Sequence, residues 1–346
     1  MNKNRFYWRI FPALTLGIGT VLIGAIAGCS PSGNSGNTVE LTLVSYMVTH
    51  AAYQHIIPQF AEQWQRDRGQ TVVVRESYGA SGNQTRTVLH GLEADVVALA
   101  LTLDIRQIEK AGLIDPGWEQ EAPNGAIVTR SVPALAVREG NPQQIKTWAD
   151  LAKPGVTVLT PNPKTSGVAR WNFLALWGSI TQTGGSPEEA LQFTRNVFAN
   201  APALPKDARE ATDIFFRDHR ADVLINYENE LILAQLNDRP ISYFVPEVNL
   251  AIEHAVAVVD RNVEAHGNRE VAEAFVRYLF TPEAQREFAK VGFRPVDPTV
   301  AAEFSDRYPP VNRLYTIEDL GGWDALQAQF FDEGGIFDRI EAAIGP

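Results

Sequence analysis

"GVTVLTPNPKTSGVARWNFLALW", Gly155 to Trp177, holds the pattern on which the fold turns. The run Val156 to Leu159 is β-branched and apolar and predicts a strand. Pro161 and Pro163 bound a loop, and an apolar helix follows from Gly167. A strand that passes through a short loop onto a helix is half of a βαβ unit. The loop delivers Thr165, Ser166 and Gly167 to the helix start, where the first amides have no partner within the helix. Partial positive charge collects at that end, so the place suits an anion. Ser166 reads in two ways, as the helix N-cap or as a hydroxyl donor to something bound there. Gly167 carries no β-carbon that would hold an oxyanion away from its amide.

The same alternation runs through the rest of the chain. "VELTLVSY" from Val39 predicts a strand, and "AAYQHIIPQFAEQWQRDRG" a helix with Tyr53, Ile56, Ile57, Phe60 and Trp64 at helical spacing. Pro58 predicts a kink or break within it. "QTVVVRES" is a strand, "YGASGNQ" a glycine-rich turn, "TRTVLHGLE" a helix and "ADVVALAL" a strand. Ser81 stands 14 residues before Asp95, and Ala208 of "KDARE" stands 14 before Asp222 of "ADVL". The layout predicts an α/β fold of two similar lobes, each a mostly parallel sheet flanked by helices, with a ligand cleft between them. Extended stretches at Ala126–Pro142 and Ala251–Asp260 are natural crossings. They divide the chain into a discontinuous lobe 1 (39–130 plus 251–346) and a lobe 2 (131–250), hinged about the cleft. Four helix starts then become candidates to face that cleft, near Met47, Ser81, Ser166 and Ala208.

Composition narrows the function classes. The 346 residues carry a formal net charge of −11, from 41 acidic and 30 basic side chains. Nucleic acid and anionic membrane surfaces call for a basic face and are excluded as partners; a small anion is not. Six histidines are scattered without an H-E-x-x-H pair, and the single cysteine allows neither a disulfide framework nor a cysteine metal site. There is no G-x-S-x-G elbow, and "GASGNQT" lacks the Lys-Ser/Thr ending of a phosphate loop. Asp95 and Asp222, at strand starts, are expected to bond nearby backbone instead of acting as general bases. No catalytic group, cofactor or metal is therefore expected.

The first residues describe an export segment. Lys3, Arg5 and Arg9 precede an apolar stretch from Ile10 to Gly28 that Pro12 and several glycines interrupt. Residues 1–29 are expected to be a signal peptide, and Ile26-Ala27-Gly28-Cys29 resembles the lipobox of bacterial lipoproteins. That resemblance implies a lipid-modified Cys29 as the anchor to a membrane. "SPSGNSGNT", residues 30–38, has the composition of a flexible tether.

Several stretches together, "VSY", "SYGASGNQ", "GLEADVVALAL", "PNPKTSGVARWNFLALWG", "ADVLINYENE" and "GGIFD", resemble the sulfate-binding proteins of bacterial ABC importers. These are type II periplasmic solute-binding proteins, and the resemblance covers Val39 to Asp338. It implies a two-lobe fold that binds a dehydrated anion through neutral donors, an ABC transporter permease as partner, and a monomer in the periplasm. It places amide donors at Met47, Ser81, Gly167, Val168 and Ala208, a hydroxyl at Ser166, and a ring donor at Tyr227. Sulfate is fully deprotonated and can only accept hydrogen bonds, so a site made of donors suits it. Four positions depart from the family pattern. Met47 stands for an aspartate and Val168 for a glycine, both in amide roles. Tyr227 stands for a tryptophan, which opens the way to thiosulfate or another tetrahedral oxyanion. Asp207 stands for a small residue, and its carboxylate is expected to face outward. Arg170 and Arg209 are expected behind the donor loops, bonded to loop carbonyls. An extracellular enzyme on a sulfated or phosphorylated compound, and a sensor lipoprotein without transport, are the readings from other classes.

Overall fold

The computed structural model describes residues 37–308 and 310–344. The expected signal peptide, Cys29 and most of the tether fall on residues 1–36, outside the described residues. Twelve strands follow in chain order: β1 (Thr38–Tyr46), β2 (Thr71–Gly79), β3 (Val96–Leu99), β4 (Ile127–Ser131), β5 (Pro133–Val137), β6 (Val158–Leu159), β7 (Val223–Tyr227), β8 (Ser242–Phe244), β9 (Val248–Leu250), β10 (Ile252–Val258), β11 (Arg294–Pro295) and β12 (Arg313–Tyr315). One sheet has the order β11-β4-β10-β3-β1-β2 and a second the order β6-β7-β5-β8, while β12 and β9 pair by themselves. The fold is thus α/β with two lobes, and its cleft runs between the two larger sheets.

The sheets are mixed, not largely parallel. β1 runs parallel to β2 and β3, and β6 parallel to β7, as strand-helix-strand units require. β4 leads out of the first lobe, and β5 and β10 each enter from the opposite lobe, all without a crossover helix, so they pair antiparallel. Only Val132 separates β4 from β5, and only Ala251 separates β9 from β10.

The two lobes open their sheets with the same device. Thr42 N donates to Asp95 Oδ2 at 2.6 Å while Asp95 N donates to Thr42 O at 2.9 Å. In the other lobe Thr157 N donates to Asp222 Oδ2 at 2.8 Å, and Asp222 N to Thr157 O at 2.8 Å. Each carboxylate satisfies an amide one residue before the parallel ladder begins, and neither Asp95 nor Asp222 lines the cavity. The 14-residue spacing read from the sequence therefore reflects a repeated structural joint.

Two local expectations need correcting. The helix His50–Arg68 continues through Pro58. Its face Tyr53, Ile56, Phe60 and Trp64 is buried on both sides of the proline, and that packing outweighs one missing hydrogen bond. The tail also departs from the expected division, which gave residues 251–346 to lobe 1. β12 pairs with β9, Tyr315 Oη donates to Ala175 O at 3.0 Å, and Phe330 and Phe337 pack on Trp177 and Phe198. The tail thus covers the second lobe. The helix Gly167–Thr181 is apolar on every side and needs a partner on every side. Gly178 makes room for Tyr315, because a β-carbon there would collide with the phenol ring.

Candidate functional site

All seven positions expected to hold ligand line one cavity: Met47, Ser81, Ser166, Gly167, Val168, Ala208 and Tyr227. Tyr46, Val48, Gly79, Ala80, Ala100 and Asp207 complete its wall. Its enclosed volume for a water-sized sphere is only about 10 Å³, far below the usual range for organic-ligand pockets, and suits a small ion. No Lys, Arg or His side chain is part of the wall.

Helix starts from both lobes meet here. Ser81 begins the helix Ser81–Leu89, Gly167 begins Gly167–Thr181 and Ala208 begins Ala208–Asp218, with Met47 at the start of the short turn Met47–Thr49. The amides of Ser81, Gly167, Val168 and Ala208 fall in first turns, where no carbonyl four residues earlier can receive them. Helix starts gathered at one cavity are the kind of place where free amides and helix dipoles can receive an anion.

The side chains fit such a place. Ser166 occupies the N-cap position with extended backbone (φ −114°, ψ 127°), yet its hydroxyl caps no amide of its own helix. It is 3% exposed. Asp207, in the corresponding place of the other helix, does cap: its Oδ1 accepts from Glu210 N at 2.8 Å. The carboxylate is thereby engaged with its own helix start, and two first-turn amides remain ahead of it. Tyr227 is 1% exposed, and its hydroxyl has no hydrogen-bond partner among the described residues. Burial raises its pKa well above the usual phenol value, so it stays protonated and can donate. The next residue, Glu228, is fully buried and forked onto Arg294 of β11 at 2.7 and 3.0 Å. That pair joins the lobes directly beside Tyr227.

Ser81 differs from Ser166. Its Oγ donates to Asp104 Oδ2 at 2.6 Å and accepts from Ala100 N at 3.0 Å. Its hydroxyl is therefore spent, and only its amide faces the cavity. Burial pushes the Asp104 carboxyl above its ordinary value, against the pull of Arg170 and of the Ser81 hydroxyl.

The two arginines part company. Arg170 Nε donates to Pro163 O at 3.0 Å, a loop carbonyl, and a second nitrogen reaches Gln327 Oε1 at 3.3 Å. Arg209 bonds no loop carbonyl. Its guanidinium forks onto the buried Glu230 at 2.8 and 2.9 Å. A carboxylate inside the lobe offers a bidentate, charge-assisted partner that a loop carbonyl cannot match.

Tyr46, Asp104 and His254 escaped the sequence reading. Tyr46 lines the cavity, and its ring lies 6.4 Å from that of Tyr227 and 5.2 Å from His254. His254 is buried, bonded through Nδ1 to Thr129 Oγ1 at 2.9 Å, and burial pushes its imidazole down to about 3. It is neutral and adds no cation beside the cavity. A histidine in line with Ile252, Val256 and Val258, the apolar inward positions of "AIEHAVAVV", is the signal that could have marked it.

Residues 41–294 match the family described as bacterial extracellular solute-binding protein. The chain belongs to that family. It is 57% identical over 337 residues to a sulfate-binding protein of Synechococcus elongatus, covering 94% of this chain and 95% of the relative. It is 35% identical to a thiosulfate-binding protein of Pseudomonas aeruginosa, over 96% of this chain and 98% of that one. Among solved structures, the sulfate-binding protein SubI from Mycobacterium tuberculosis superposes with a TM-score of 0.78. It shares 38% identity, over 85% of this chain and all of SubI.

Proposed function

We propose that this protein captures sulfate outside the cytoplasm and delivers it to the permease of an ABC importer. The observation that carries the reading is the chemistry of the cavity wall. It offers first-turn amides, one uncapping hydroxyl and two phenols without a partner among the described residues, those of Tyr46 and Tyr227, all of which can donate. Its one carboxylate is turned to a helix start. A dianion without protons needs donors alone, whereas a protonated phosphate also needs an acceptor. In this reading the amides of Met47, Ser81, Gly167, Val168 and Ala208, the Ser166 hydroxyl and the Tyr227 phenol replace water around the anion. Arg170 steadies the donor loop through Pro163 O. The shell is complete only when the lobes are shut, so ligand favours the closed form by its differential contacts. The relatives' names support the ligand and the extracytoplasmic role.

Thiosulfate is the second reading. The thiosulfate-binding relative favours it, as does Tyr227, whose hydroxyl is a different donor from an indole. The proposal extends to a monomer that performs no catalysis. It also includes a signal ending at a lipid-modified Cys29, which would keep the protein at the membrane surface by its anchor alone. Mass spectrometry of membrane-extracted protein tests the anchor: an unmodified Cys29 would sink that part.

Titration calorimetry on ligand-stripped protein, with sulfate, thiosulfate and phosphate in turn, tests the central claim. One tight sulfate site whose affinity holds between about pH 6 and 8 is the expected result. A preference for phosphate would overturn it.

A further inference from the structure

Trp171 lies one turn into the helix whose start forms part of the cleft, and its indole crosses to the other lobe. Nε1 donates to Ala100 O at 2.9 Å, just past the end of β3. Its ring meets Trp323 edge-on, with centroids 4.8 Å apart. Trp323 opens the tail's helical turn Trp323–Leu326. The next residue, Asp324, reaches the first lobe, pairing with Lys110 at 3.2 Å and Arg106 at 3.7 Å on the helix Thr102–Lys110. That helix follows directly from Ala100. A tail fastened to the second lobe therefore touches the first lobe beside the point where Trp171 does. Ala100 lines the cavity, but Trp171, Trp323, Asp324, Lys110 and Arg106 do not.

We propose that Trp171 and the Trp323–Asp324 step form a closure latch, positioning residues that set ligand affinity without touching ligand. The proposal rests on the reading of the cleft as an anion site that closes. Opening the lobes parts the Trp171 indole from Ala100 O and Asp324 from its two cations. Both sets of contacts belong to the closed form. The ion pairs are exposed and contribute little. The indole bond is buried, and losing its donor leaves a carbonyl unsatisfied in the closed seam. Apparent affinity scales with the population of the binding-competent form, so a weaker latch appears as weaker binding. Because the latch forms after encounter, the loss falls on release and spares the association rate.

The test compares Trp171→Phe and Asp324→Asn with the unaltered full chain. Trp171→Phe keeps an aromatic ring against Trp323 but removes the Nε1 donor together with part of the buried ring volume. Expected are a roughly 5- to 10-fold weaker sulfate affinity for Trp171→Phe and about 2-fold for Asp324→Asn. Faster release should account for both in stopped flow, while the ligand-free Tm stays put because the open form lacks these contacts. Small-angle scattering at half-saturation should show a larger mean radius for the variants. Affinities equal to the unaltered chain would overturn the latch. So would a lowered ligand-free Tm with unchanged release, which marks ordinary packing. If the unaltered chain binds neither sulfate nor thiosulfate, the cleft reading fails separately. The latch is then judged by scattering alone, and variants as compact as the unaltered chain overturn it.

Discussion

Gly167 and Ala100 face each other across the cleft so closely that a β-carbon on Gly167 would lie 2.6 Å from the Ala100 β-carbon. The second lobe's donor helix is pressed against the end of β3, and only a bare backbone fits between them. Gly167→Ala adds one methyl group in a place that is crowded only when the lobes are shut. Overpacking of this kind costs about 1–3 kcal/mol, here charged to closure. Calorimetry should show sulfate affinity lowered about 10- to 100-fold, with the ligand-free Tm within a degree or so of the unaltered protein.

Ser166 and Asp207 occupy matching helix starts and should respond in opposite ways. Ser166→Ala removes a donor to a charged ligand, worth about 1.5–3 kcal/mol, so binding should weaken about 10- to 100-fold. The helix loses no cap and the ligand-free melting curve should hardly move. Asp207→Ala removes a true cap, at a cost of about 1 kcal/mol, and should lower the melting temperature. A large stability loss in Ser166→Ala would return that serine to an ordinary capping role.

Tyr227→Phe separates binding from stability most sharply. The hydroxyl is buried without a partner, a state that costs about 1–3 kcal/mol. Its removal should leave the ligand-free protein as stable as before or more so, in urea titrations. The same change should weaken sulfate binding about tenfold or more. Undiminished affinity would remove Tyr227 from the ligand shell.

His254 predicts a pH dependence of stability. Its folded value is about 3, against about 6.5 in an unfolded chain. Between those values the unfolded state binds more protons, so stability rises with pH through that window. Equivalently, this contribution is intact above about pH 6.5 and is lost on acidification, at up to about 1.4 kcal/mol per pH unit. The groups packed on the ring, Thr129, Tyr46, Tyr227 and Phe293, carry no charge at these pH values. Urea unfolding of His254→Phe between pH 4 and 7 should give a flatter profile than the unaltered chain. Equal slopes would mean that other groups set the acid response.

Much of the cavity wall was legible because it is built at helix starts, whose first amides have no partner within the helix. A helix start is announced locally, by a loop, a small residue and the first apolar turn, and Ser81, Gly167 and Ala208 carry that signal. The family resemblance then selected which starts face one cavity. Tyr46 and His254 were not legible, since the sheet brings them together, from β1 and from β10 two places away, out of positions 208 apart in the chain. Arg209 was misjudged for a related reason. Its partner Glu230 lies 21 residues on, and only folding brings the two carboxylate oxygens to the guanidinium.

By itself, the sequence determined the α/β alternation, the repeated 14-residue spacing, the four helix starts and the net negative charge. All of these are local or compositional properties. The tertiary structure decided the strand directions at the crossings, the tail's attachment to the second lobe and the pairing of Ser81 with Asp104. It also left the Ser166 hydroxyl free while giving Asp207 to its own helix. Capping and cleft-facing serines share one sequence pattern, and they differ only in what the other lobe places in front of them.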